Sequence, residues 1–363
     1  MRVLVVNAGS SSLKLSVLDG ERVEESSTVE RWDGAGDLEP LRDFVGVAGD
    51  VEAVGHRVVH GGPRHRASVR VDDDVVAYLE SIGDLAPLHN PRAVAAIRAV
   101  REVLPDAPAV AAFDTSFHAS MPGAATTYAL PREWNQRFGL RRYGFHGLSH
   151  AYAVRRAAEL VGRPASSLRM VTCHLGAGAS LCAVRDGRSV DTTMGFTPLA
   201  GLVMATRAGS VDPGLMLWLL EHGDVEVETL SAVLEHQSGL KGLSGTSGDL
   251  RDVLEARAGG DVDATLAFDV YVHRLVREIG AMVAAAGGLD VLVFTGGMGE
   301  HSPDLRAAAA EGLRFLGVEV DGSANVATGD ADLTADGAIV RTVVVTAAED
   351  VEVARETAQV LAG

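Results

Sequence analysis

MRVLVVNAGSSSLKLSVLDG, residues 1–20, sets an apolar run (Val3 to Val6) and an alternating one (Leu13, Leu15, Val17) on either side of a small polar segment. The pattern predicts two strands, the first over Arg2–Val6, joined as a hairpin. Two residues such as Asn-Gly would suffice to reverse the chain. NAGSSSLK instead brings three hydroxyls, several backbone N–H groups and Lys14, which are phosphate ligands by chemical type.

The same pattern returns as VTCHLGAGASLCAVRDG, residues 171–187: apolar strand, glycine turn, strand, Asp-Gly. Gly9 aligns with Gly176, Ser11 with Gly178, Val17 with Val184 and Asp19-Gly20 with Asp186-Gly187, each 167 positions apart (176 − 9). A common offset with a paired Asp-Gly favours duplication over chance. A third glycine turn lies in VLVFTGGMGEHSPDLRAAAAEGLRFLG, residues 291–317, where Ser302 is placed to cap a helix beginning at Pro303 and ending before Gly317. GGMG between strand and helix would let backbone approach a nucleotide, and it equally suits a plain βα connection.

Further helices are predicted over 91–104, over 150–161 behind Ser149, and from Pro213 to near Gly223. Strands alternating with helices after each hairpin give an α/β chain, and 363 residues exceed what one core usually spans. Two related halves with a ligand cleft between them follow as the expectation.

Composition removes several classes. With 47% hydrophobic and 22% charged residues and no low-complexity tract, the chain is not of disordered or fibrous type. A net charge of −17 repels nucleic acid and anionic membrane, so any anionic substrate needs a few local cations. The apolar runs Val3–Val6 and Ile279–Leu289 are too short for a signal core or a membrane span. Two cysteines, Cys173 and Cys182, fit a reducing cytoplasm as small buried hydrophobes.

If phosphate binds the glycine turns, cations and magnesium-holding carboxylates are needed as well. Arg57 lies in GHRVVHGG (55–62), inside an apolar strand, and Arg207 in GLVMATRAGSVDP (201–213), a loop before a helix. A buried arginine means an ion pair or a ligand contact. Asp114 follows the strand-like AVAAF and Glu349 the strand RTVVVT, both positions where α/β proteins place functional groups. Asp114 could equally close a turn, and Glu349 could form a capping box with Thr346. His146 in RRYGFHGLSH and His174 beside the second glycine turn are placed to donate to phosphate oxygens. No nucleophile with a base partner is suggested.

Taken together, NAGSSSLK, GHRVVHGG, LAPLHNP, FDTSFH, RRYGFHG, GFTPLAGL, TRAGSVDP, FTGGMGE and the final ARET run in an order that resembles the acetate kinase family across nearly the whole chain. The resemblance implies two RNase H-like domains of the actin, sugar kinase and heat-shock ATPase superfamily, with the active site in the cleft between them. The first would span 1–149, completed by a helix over 350–363, and the nucleotide-binding second 150–349. It implies transfer of the γ-phosphoryl group of ATP to acetate, with magnesium or manganese as cofactor, in a cytoplasmic homodimer.

Carried over by motif, Asn7, Ser10, Ser12 and Lys14 would touch phosphate or support the metal. Arg57 and Arg207 would bind acetate and steady the transferring phosphoryl group, which His146 would also contact. Asp114 and Glu349 would hold magnesium, displacing the purely capping reading of Glu349. Val59, Leu88, Phe145 and Pro198, with His89 nearby, would form a small acyl pocket. His174, Leu175, Gly176, Ala177 and Gly178 would meet phosphate, while Asp249, Leu250, Arg251, Gly296, Gly297, Met298, Gly299 and Glu300 would surround the nucleotide.

Four positions depart from the family pattern: Ala177 in place of the asparagine of HLGNG, Ala205 for glycine, Gly248 within the segment before Asp249, and His301 for asparagine. All fall on the nucleotide side, leaving the acyl side intact. Propionate or butyrate remains open as the acceptor, since one methylene is worth only about 1–3 kcal/mol in an apolar pocket. A nucleotide-binding regulator that has lost phosphoryl transfer is the reading from another class, supported by Ala177 alone.

Overall fold

Strand β1 (Arg2–Ala8) pairs antiparallel with β2 (Ser12–Asp19), so the opening stretch is the hairpin its alternation predicts, with the first strand two residues longer. In the computed structural model, which describes residues 1–9, 12–32 and 38–363, β2 continues antiparallel to β3 (Arg22–Glu30). On its other edge β1 runs parallel to β4 (Ala53–Val58) and β4 parallel to β6 (Ala109–Phe113), which pairs antiparallel with the short β5 (Val69–Arg70). The order is β3-β2-β1-β4-β6-β5. Leu4 and Val6 join a core with Leu15, Val17, Ile97 and Phe113, whereas Val3 and Val5 pack with Val351 and Val353 of the final helix, Glu349–Ala362. Burial on both faces is why β1 reads as an unbroken apolar run.

The second sheet repeats the first. Strands β7 (Arg169–Leu175), β8 (Ala179–Arg185), β9 (Arg188–Thr192), β10 (Val291–Thr295), β11 (Ala331–Asp332) and β12 (Arg341–Val344) take the order β9-β8-β7-β10-β12-β11. Each pairing has the sense of its counterpart in the first sheet. The duplication therefore extends beyond the hairpin to all six strands, giving the pair of RNase H-like sheets that the resemblance implies.

The constant offset of 167 does not survive. The Gly9 N–H reaches the Ser12 carbonyl (2.8 Å), whereas Gly176 reaches Gly178 (3.0 Å), so the second turn is one residue shorter. Beyond it the offset is 166 (183 − 17): the bulge falls between Val17 and Leu18 in one sheet and between Ala183 and Val184 in the other. Gly20 (φ 61°) thus corresponds to Asp186 (φ 55°), not to Gly187, and both take left-handed backbone.

The chain divides into two compact units. One comprises Met1–Ala119, Phe145–Tyr152 and Ala348–Gly363, the other Ser120–Gly144 and Ala153–Ala347. The junction at 149/150 suggested by sequence lies inside the helix Gly147–Leu160, which begins earlier than Ser149 predicts, and residues 120–144 pack with the second unit. Other predicted helices form nearly in place, as Asn90–Val103 and Pro213–His222, the latter capped by Asp212 accepting from the Gly214 N–H (2.8 Å). Ser302 caps Pro303–Gly312 through the Leu305 N–H (3.3 Å); that helix stops short of Gly317, the chain tightening into a 3-10 turn at Arg314–Leu316. GGMG is not a loop: Gly296–His301 is itself a helical turn directly after β10. Among the described residues no helix is long and apolar enough to cross a membrane.

Candidate active site

The register of the first sheet puts Asn7 opposite Lys14 on one side and Arg57 on the other. Arg57 donates through Nε to Asp114 Oδ1 (3.1 Å) and through Nη2 to Oδ2 (2.7 Å), a two-pronged pair, while Nη1 donates to Asn7 Oδ1 (3.2 Å) and lies 3.3 Å from Glu349 Oε2. The Asp114 side chain is only 2% exposed, so each charge here needs the other. Burial works against the Arg57 cation, yet the Asp114 and Glu349 charges outweigh it and hold its pKa above the usual range. Burial, aided by Asp114 and Asp350, pushes the Glu349 carboxyl up against the pull of Arg57.

Glycine makes this convergence sterically feasible. A Cβ on Gly55 of β4 would lie 2.5 Å from Thr357 Oγ1 and 2.7 Å from a Val353 methyl, so only glycine lets the final helix press onto β4 with Glu349 at its first turn. That helix has no side-chain cap, and the Thr346 N–H goes to Asp330 Oδ1 (2.8 Å), so the expected capping box is absent and the Glu349 carboxylate is left for Arg57.

His146, half-buried, adopts left-handed backbone (φ 56°), which turns the Gly147 N–H onto the Asp114 carbonyl (2.8 Å). A side chain at 147 would clash with that carbonyl, with Cβ 2.2 Å away. Strain of this kind in a non-glycine residue is a mark of functional sites. Phe145 is fully buried, edge-on to His60 at 5.6 Å. Of the expected acyl residues, Val59 and His89 are half-buried and Leu88 is 48% exposed, all on the first unit with Phe145; Pro198 belongs to the second. Ser12 begins β2 and Lys14 is exposed, while Ser10 lies outside the described residues.

The second unit holds a cavity of about 630 Å³. Gly176 and Ala177 of the second glycine turn form one wall, Asp249, Leu250 and Arg251 another, and Gly297 and Met298 a third. Ala205, Gly248 and His301, all departures from the family pattern, line it too. Ser247, Leu254, Ser302, Pro303 and Asp304 complete it; sequence had marked Ser302 and Pro303 as helix-start residues only. Asp249 caps the helix Leu250–Ala258 through the Arg251 N–H (2.9 Å), and the Arg251 guanidinium holds its carboxyl down at about 2.

His174, Leu175, Gly178, Gly296, Gly299 and Glu300 do not line the cavity. His174 and Leu175 instead end β7, with His174 opposite Thr295 of β10. Glu300 turns its carboxylate to the Ala347 N–H (2.9 Å). Arg306, fully buried, donates to the Gly299 and Glu300 carbonyls (2.8 and 2.7 Å) and to Asn325 Oδ1 (2.9 Å), fixing the end of Gly296–His301. Arg207 meets a partner the sequence gave no sign of, Glu235, at 3.1 Å from Nε to Oε2. The backbone around Arg207 is held by Ser238, Leu240 and Lys241, whose N–H groups reach the carbonyls of Thr206, Met204 and Ala205.

Among the described residues no three His, Cys, Asp or Glu side chains form a metal cluster. Asp114, Glu349 and Asn7 Oδ1 nonetheless converge on one guanidinium, an all-oxygen set with two carboxylates. Magnesium suits such a set, because it commonly takes one or two carboxylates and completes its shell from water and phosphate.

Residues 41–355 match the Acetokinase family. An acetate kinase from Nostoc punctiforme is 49% identical over 86% of this chain and 77% of its own. Among solved structures, acetate kinase from Porphyromonas gingivalis superposes with a TM-score of 0.91 at 35% identity, covering 99% of both chains. A propionate kinase from Francisella tularensis gives 0.90 at 32% identity, again over 99% of both.

Proposed function

The chain belongs to the acetokinase family and is a carboxyl-group phosphotransferase, and from that premise we propose that it moves the γ-phosphoryl group of ATP reversibly to acetate, giving acetyl phosphate and ADP. The observation that carries the reading is the Arg57 cluster: one half-buried cation bound on all three nitrogens by Asn7, Asp114 and Glu349.

Phosphoryl transfer of this kind runs through a loose transition state, so the protein supplies position and charge rather than a base. The attacking carboxylate is already ionised at neutral pH. Arg57 binds it and, with Arg207 and His146, neutralises charge spreading over the transferring group. Asn7, Asp114 and Glu349 would hold magnesium, for which manganese could substitute, and its charge would be supplied to the phosphate oxygens. Ser12 and Lys14 of the first hairpin bind phosphate. The cavity bounded by Ala177, Asp249 to Arg251 and Gly297 takes the nucleotide. Val59, Leu88, His89 and Phe145, with Pro198, set the acyl size.

Dimerisation is part of the reading. The helix Pro213–His222 is apolar along PGLMLWLL, yet neither it nor the helix Val227–His236 buries a single residue, leaving Leu217 60% and Trp218 54% exposed. A second copy covers this face, and light scattering with a Trp218→Glu variant tests it: the wild type runs as a dimer and the variant as a monomer. The buried Cys173 and Cys182, neither in a disulfide, accord with a cytoplasmic enzyme.

The deciding experiment traps acyl phosphate with hydroxylamine from MgATP and acetate, propionate or butyrate, with a control lacking acid. Highest kcat/KM on acetate supports the proposal. Highest kcat/KM on propionate moves the acceptor up by a methylene, and nucleotide binding without acyl phosphate moves the protein to a regulatory class.

A further inference from the structure

Each nitrogen of the Arg57 guanidinium is taken by a residue assigned to the metal: Nε and Nη2 by Asp114, Nη1 by Asn7 Oδ1 and Glu349 Oε2. The same oxygens therefore serve a resident organic cation. Both Asp114 carboxylate oxygens accept from it, so a metal ion on this carboxylate would share its oxygens with the guanidinium. Two carboxylates share one monovalent cation, leaving the set a net negative charge, and a divalent ion in the same set would confront the guanidinium at like charge within a few ångströms. The side chains of Arg57 and Glu349 keep 19% and 17% exposure, enough for ligand to reach the cluster from solvent.

Resting on the magnesium assignment above, we propose that Arg57 and the divalent cation compete for the oxygens of Asn7, Asp114 and Glu349, and that a carboxylate drawing Arg57 toward itself frees the set for metal. Acceptor and metal are then coupled through one side chain: acetate tightens metal binding, and by linkage metal tightens acetate by the same factor. Arg57 is thus the charge that partly offsets the two carboxylates before ligands arrive as well as the group that binds acceptor. In this cluster the guanidinium already occupies an oxygen of each of the three residues.

The test measures free manganese by electron paramagnetic resonance in titrations of the full chain without nucleotide, so no turnover enters. Wild type is compared with Arg57→Gln, which keeps length and a hydrogen-bond donor but loses the charge, and with Asp114→Asn. The expected result is weak binding by wild type, tightened fivefold or more by saturating acetate. Arg57→Gln binds at least tenfold tighter without acetate and no longer responds to it, because the uncompensated carboxylates have lost their internal cation. Asp114→Asn binds least. Equal manganese affinity in wild type and Arg57→Gln, with acetate inert, overturns the competition and leaves the metal assignment standing. Absence of binding in every protein overturns the metal assignment itself. Should Arg57→Gln fail to fold, the acetate response of wild type decides alone.

Discussion

Glu235 holds Arg207 by one edge: Oε2 accepts from Nε at 3.1 Å, with both side chains about a quarter exposed or less. The Nη1 group reaches the Met204 sulfur at 4.0 Å. An arginine gripped at Nε is aimed while its Nη groups stay available to an anion.

Arg207→Ala therefore removes transition-state charge and is expected to lower kcat by 10³ to 10⁵, about 4–7 kcal/mol of barrier. Glu235→Ala loses only the aim, and kcat should fall about tenfold. Glu235→Gln, which still accepts from Nε, restores most of it. Steady-state kinetics on the three variants checks this; equal losses for Ala and Gln would mean that Glu235 acts through its charge.

His56 sits in β4 fully buried, with neither ring nitrogen hydrogen-bonded. Burial, with Arg101 nearby, drives its pKa down to about 3, and burial takes His60 and His118 to about 4. In the unfolded chain these rings take protons near the usual 6.5. Stability is thus complete above pH 6.5 and is lost as pH falls from 6.5 towards 4, by about 1.4 kcal/mol per unit for each ring. Thermal melts should show Tm falling steeply across this window. His56→Leu should raise stability at neutral pH by about 1–3 kcal/mol by removing an unsatisfied polar ring, and should flatten the slope by one proton.

Much of this architecture can be read from residue pattern alone. The doubly buried β1 writes itself as an apolar run, Ser302-Pro303 marks a helix start, and Asp114 and Glu349 stand directly behind apolar strands. What sequence hides is pairing. Glu235 is one acid among many on an amphipathic helix, and nothing local ties it to Arg207. The Asp-Gly coincidence suggested a uniform 167-residue repeat, because a one-residue shortening of a turn leaves composition unchanged while shifting every later partner. Gly147 carries no pattern at all; its need for a bare backbone comes from Asp114, 33 positions away (147 − 114).

Ala177 lies exposed on the cavity wall with its carbonyl held by the Ala205 N–H (3.2 Å), so the turn backbone is fixed whatever side chain it carries. Ala177→Asn adds an amide donor facing the nucleotide. One hydrogen bond of about 0.5–1.5 kcal/mol predicts a KM for ATP lower by roughly 3–10-fold. An unchanged KM would show that the backbone N–H groups of the turn already suffice.

FTGGMGE places Glu300 beside the nucleotide, while in the structure its Oε1 accepts the Ala347 N–H at 2.9 Å and it does not line the cavity. Ala347 is the last residue of the second unit before the chain enters the first, and Glu349 follows two positions later. The carboxylate therefore fixes the backbone two positions before Glu349. Glu300→Ala releases that segment at the cost of one hydrogen bond of about 0.5–1.5 kcal/mol, which predicts a 3–10-fold rise in the magnesium concentration for half-maximal rate. The KM for ATP at saturating magnesium should change less than about twofold, a loss too small for a direct contact. Glu300→Gln keeps the acceptor and should behave as wild type. The opposite split, with KM for ATP raised and magnesium dependence untouched, would return Glu300 to the nucleotide.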